Sequence, residues 1–141
     1  MQQQRFVRTA IAAALAIALA GCGGLGVNLG GKSNTANQVA ITATSGTTLN
    51  PYPLLIGHTV LFNAHPSAGN VINYGVSKTV RWDSSLPQTV VLLEPDCATA
   101  YGGEFTTTIC VFANSLGKAT ANIDATTSNG AIGTLTIAVT N

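Results

Sequence analysis

The chain reads as an all-β protein, an antiparallel β-sandwich of about seven strands preceded by a leader and a flexible tether. Three observations predict this. From Gln38 onward apolar and polar residues alternate with period two in several separate runs, and such alternation puts one set of side chains on each face of a strand. Turn residues punctuate the runs at short spacing, among them Ser45-Gly46, Ser67-Ala68-Gly69-Asn70 and Ser128-Asn129-Gly130, as sandwich strands require. No stretch after the leader carries a helical period of useful length, so no helix longer than a turn or so is expected.

Segment 1–21 reads as a secretory signal peptide. Arg5 and Arg8 give a positive start, Phe6 to Ala20 is almost wholly apolar, and small residues close the segment before Cys22. A transmembrane helix needs about 20 apolar residues; this run falls short and glycines follow it. A plain secretory signal with an incidental cysteine is the rival reading. The ending Leu19-Ala20-Gly21-Cys22 resembles the lipobox of bacterial lipoproteins. That resemblance implies that Cys22 becomes the lipidated N-terminus, with a diacylglycerol on its sulfur and an acyl chain, palmitate for example, on its amine. Two or more such chains anchor a protein stably to a membrane. The sorting rule that comes with the resemblance keeps a protein at the inner membrane when Asp follows the cysteine. Gly23 stands there, which points to the outer membrane, with the periplasmic or surface face left open.

Cysteine arithmetic supports an exported chain. Three cysteines leave one unpaired; lipidation of Cys22 removes it and leaves Cys97 and Cys110 as a pair. In an oxidising compartment such a pair closes into a disulfide, a staple worth about 3 kcal/mol in the loop-entropy model. Two free thiols are the alternative. A metal site has poor support, because His58 and His65 lie far from the cysteines in sequence and no CxxC occurs.

Without the leader the chain keeps about 120 residues, enough for one domain. Lys32, Lys78, Arg81 and Lys118 then face Asp83, Glu94, Asp96, Glu104 and Asp124, a net charge of −1. No basic patch remains to neutralise phosphates, so no nucleic-acid partner is expected. Residues 22–37 hold the lipidated cysteine and a glycine-rich stretch, read as a flexible tether with a span of roughly 20 Å.

The domain, 38–141, is then read strand by strand. Val39, Ile41 and Ala43 share one face, as do Val60, Phe62 and Ala64. Val76, Val80 and Trp82 form a third set, opposite Ser77, Thr79 and Arg81. Val90 to Leu93 is a continuous apolar run, expected of a strand buried on both sides. Ala119, Ile123 and Ala125 alternate with Thr120, Asp124 and Thr126, and after the Asn129-Gly130 turn come Leu135, Ile137 and Val139.

Four of these runs resemble the bacterial Ig-like domains of group 2 and its relatives: Gly57 to Ala64, Val80 to Ser85, Gly117 to Thr126 and Gly133 to Val139. The resemblance covers about 38–140 and implies an Ig-like sandwich. It also implies that Trp82 plugs the core between the sheets; an exposed sugar-stacking platform is the other reading. The stretch from Glu94 to Ala113 is longer than the family pattern and holds the cysteine pair. A bridge there staples a local loop and leaves the strands of this stretch undecided.

The chain has no GxSxG, no HExxH and no phosphate-cradling glycine loop, so no catalysis and no cofactor are expected. Glu94, Asp96 and Glu104 could hold calcium, but their spacing matches no loop motif. His58 and His65 read as polar rim residues. Tyr52, Tyr74 and Tyr101 lie in turn-rich segments, and Tyr101, beside Gly102-Gly103, is the candidate ligand contact. Two functional classes follow. One is a non-catalytic structural or interaction module that docks to another envelope protein. The other is a surface adhesin or glycan-binding module that touches a carbohydrate or host surface.

Overall fold

A computed structural model describes residues 32–33, 35–69, 72–73 and 76–141. The leader, Cys22, most of the tether and Tyr74 lie outside the described residues. Ten strands and no helix occur among those described. They are β1 Lys32–Ser33, β2 Gln38–Ala43, β3 Tyr52–Leu55, β4 Thr59–Ser67, β5 Ile72–Asn73, β6 Arg81–Ser84, β7 Val90–Leu93, β8 Thr108–Ala113, β9 Ala119–Thr126 and β10 Ile132–Thr140. Eight of them form two four-stranded sheets, ordered β2-β4-β8-β7 and β3-β10-β9-β6. The two-residue strands β1 and β5 pair in parallel beside them.

This strand order is that of the constant-type Ig sandwich. Its first strand is split: β2 pairs antiparallel with β4, and the chain then crosses to the other sheet, where β3 runs parallel to β10. The core lies between the sheets. Phe62, Val80, Val90, Ile109, Val111, Ile123 and Ile137 have no exposed surface, and Trp82 is 2% exposed. These are the inward positions of the alternation, most clearly in β9 and β10, where buried residues occupy every second place. Tyr52 of one sheet meets Phe62 of the other edge-to-face at 5.1 Å, a favoured aromatic geometry.

Several expectations are corrected. Val90 to Leu93 is not buried on both sides. It is an edge strand with Val90 buried and the next three residues half-buried; its continuous apolar character reflects partial cover on the outer face. The Val76–Trp82 strand is shorter than its alternation suggests, because only Arg81–Ser84 finds a ladder partner, in β9, with Val80 held by an isolated bridge to Thr106. Tyr52 belongs to a strand, not a turn-rich segment, and packs on the core. Residues at the end of the tether also touch the sandwich. Ala36 is buried, its carbonyl accepts from Asn129 Nδ2 at 2.6 Å, and Asn37 N–H donates to Ser67 O at 2.9 Å.

Candidate functional site

β6 and β7 are the edge strands of their two sheets and lie on the same flank of the sandwich. An exposed strand edge offers unpaired N–H and C=O groups to any passing chain, and proteins cover such edges. Here the cover is the connection from Glu94 to Thr107, which runs across both edges. On β7 it makes an antiparallel bridge from Ala100 to Leu93, and Tyr101 N–H donates to Leu92 O at 3.2 Å. On the β6 side Val80 and Thr106 exchange both backbone bonds at 2.9 Å. The amide of Trp82 then donates to the Tyr101 hydroxyl at 3.0 Å. This segment is a strap, and it accounts for the extra length of the Glu94–Ala113 stretch.

The strap's own residues hold its shape. Asp96 accepts from the amides of Ala98 and Thr99 at 2.9 Å and from the Thr99 hydroxyl at 2.7 Å. The Ala98 amide foremost, then the two Thr99 donors, keep its carboxyl below the ordinary aspartate range. Glu94 Oε1 accepts from Gly102 N–H at 3.2 Å. Cys97 stands at φ 58°, the one non-glycine residue of positive φ among those described. Its sulfur is bonded to Cys110 on β8, with Cα atoms 5.3 Å apart. The disulfide thus ties the strap to an interior strand of the sheet.

Tyr101 is the pin of this arrangement. Its hydroxyl accepts from Trp82 and donates to the Glu104 carbonyl, and its ring packs against the core cluster. Burial, as the main cause, raises its pKa; the Trp82 bond opposes the shift. Between strap, β6 and β7 lies an open cleft of about 470 Å³, bordered by Arg81, Asp83, Pro87, Val91, Tyr101 and Gly103. The Arg81 guanidinium lies against Gly103, where an added β-carbon would meet its Nη2 at 3.4 Å. On the outer face Asp83 stands directly opposite Asp124, and Asp124 accepts from the Thr134 hydroxyl at 2.6 Å.

The remaining candidates are dispersed. His65 shares a 2.7 Å hydrogen bond with Thr42 on the outer face of the β2-β4 pair, and His58 sits in the exposed turn before β4. No cluster of three metal-ligating side chains occurs among the described residues. Trp82 is inside the core; its indole N–H finds no acceptor. Arg81 and Asp83 were missed as cleft residues. Their only sequence signal is their outward position on a strand whose inward residue is Trp82.

No protein-family model matches the chain, and no curated protein matches it.

Proposed function

We propose that this is a lipid-anchored, non-catalytic module of the bacterial cell envelope, held through Cys22, whose Ig-like sandwich binds another envelope protein. The observation that carries the reading is the Cys97–Cys110 disulfide. A closed pair fits an exported, oxidising compartment and leaves Cys22 as the odd cysteine, placed at the end of a signal-like segment. Gly23 favours the outer membrane as the destination. Interaction by strand addition is disfavoured on the β6–β7 flank, where the strap already takes up part of both edges. A partner therefore meets side chains, with Arg81, Asp83 and the strap's exposed Phe105 the accessible groups there.

The second reading, glycan binding, has the open cleft beside Arg81 and Asp83 in its favour. Tyr101 would contribute little to it, since its hydroxyl is committed on both sides.

Two measurements test the proposal. In cells fed an alkyne-tagged fatty acid, the chain should take up label and fractionate with membranes, and Cys22→Ala should lose both. A variant that keeps its label refutes the anchor. Cross-linking in intact cells should then recover an envelope protein; recovery of polysaccharide alone would favour the glycan reading.

A further inference from the structure

The strap has a separable construction. The side chains that are fully buried in the core all come from outside it, from the strands and from Val80 next to β6; the strap supplies only the half-buried ring of Tyr101. Its attachments to the sheets are a few hydrogen bonds at the two edges, one from the Ala64 amide of β4 to the Thr107 carbonyl at the strap's very end, and one covalent bond, Cys97–Cys110. The two sulfurs differ in access. Cys110 has no exposed surface, whereas Cys97 is half-exposed and borders an open groove of about 380 Å³ beside Thr44, His58 and Leu61. Cys97 also holds a left-handed backbone conformation that L-residues other than Asn and Asp seldom adopt, in a turn where its N–H donates to Glu94 O at 2.8 Å.

We infer that the disulfide is a redox latch on the strap: its reduction releases Glu94–Thr107 and uncovers the edges of β6 and β7 while the sandwich core stays folded. The reductant is a dithiol. One of its thiolates attacks Cys97 Sγ, the accessible sulfur; the S–S bond breaks, Cys110 leaves as a thiolate and takes up a proton. The mixed disulfide on Cys97 is then resolved by the second thiol of the reductant, which leaves as a cyclic or intramolecular disulfide. Two electrons and two protons have passed to the protein, which now carries two thiols. Attack on whichever sulfur is reachable governs the direction of such exchange. In the released state Val80, Trp82 and Leu92 lose their strap partners, and bare strand edges seek new ones.

The test uses the full chain, oxidised and reduced with dithiothreitol, with thiol alkylation to verify two free cysteines. Hydrogen exchange is followed peptide by peptide. On reduction, amides of the strap and the facing residues Val80 and Trp82 should exchange about a hundredfold faster, the loss of a short-loop staple at 1.4 kcal/mol per tenfold. Amides of β9 and β10 should keep their protection, and reoxidation should restore the strap. Unchanged exchange in the strap overturns the inference, and so does loss of protection throughout the chain, which would show that strap and core open together. Trapping of the oxidised protein with a monothiol, which has no second thiol to resolve the adduct, should place the mixed disulfide on Cys97; adducts on Cys110 would overturn the assigned direction of attack. Cys97→Ser/Cys110→Ser should reproduce the reduced exchange pattern without any reductant, and a fully protected strap in that variant would also refute the latch.

Discussion

The carbonyl oxygen of Val39 lies 2.3 Å from the place where a β-carbon on Gly133 would stand. Gly133 is the second residue of β10 in one sheet, and Val39 belongs to β2 of the other, so the two sheets close against each other through bare backbone here. Nothing at this contact is the far end of a flexible side chain that could swing away. Gly133→Ala should therefore force β2 off β10 and cost about 1–3 kcal/mol, as overpacking of a filled interior does. Urea unfolding checks this; a midpoint equal to the wild type would mean that β2 moves freely.

Tyr101→Phe removes the hydroxyl that accepts from Trp82 N–H and donates to the Glu104 carbonyl. The expected cost is about 1–3 kcal/mol, the penalty for stranding a partly buried amide. The same hydroxyl predicts alkaline sensitivity. Its folded pKa is raised above the unfolded value of about 10, so its contribution is complete below that pH and is lost as pH rises through the folded pKa. The wild type should lose stability above about pH 10 more steeply than Tyr101→Phe. Parallel pH profiles would count against the pin.

Trp82 is the only tryptophan, so its fluorescence reports on one site. From its burial at 2% exposure, emission should be blue-shifted and resistant to iodide. Trp82→Ala should cost about 3–5 kcal/mol, a large share of the roughly 5–15 kcal/mol available to such a domain. Trp82→Phe should cost much less, because it keeps most of the ring volume and removes an indole N–H that has no acceptor. Equal losses in the two variants would show that the indole nitrogen is satisfied in solution.

Asp96 anchors the strap's turn as a carboxylate. Its folded pKa is depressed by the Ala98 amide first and the Thr99 donors after it. The contribution is therefore present above the unfolded value of about 3.9 and is lost as pH falls through the folded pKa. The amides of Ala98 and Thr99 should become more mobile by NMR only in acid below the ordinary aspartate range. In Asp96→Asn this acid transition should vanish. A transition of unchanged position in the variant would assign it to another group.

The long strands were legible because their signal is local. In β9 and β10 burial follows the apolar alternation residue by residue, and the hairpin between them was marked by Asn129-Gly130. The short strands were not. β3 follows Pro51 and contains Pro53, and owes its existence to a parallel partner more than eighty positions away in the chain. β8 breaks the alternation because Cys110, on the outward side, is buried by its own disulfide. Ser77 to Thr79 alternates but finds no ladder partner. The strap was invisible for a related reason: its order comes from isolated bridges and one tyrosine hydroxyl, none of which leaves a periodic trace. The cysteine pair was the one sign that something there had to be tied down.

Because the strap takes up backbone groups of Val80 and Trp82 on one edge and of Leu92 and Glu94 on the other, it shortens the free edge through which neighbouring copies could extend a sheet, the kind of contact that grows without limit and seldom reverses. Crowded together, such molecules can collide through side chains and separate again. The strap thereby shifts encounters on this flank from backbone pairing toward contacts between side chains, which are brief and exchangeable.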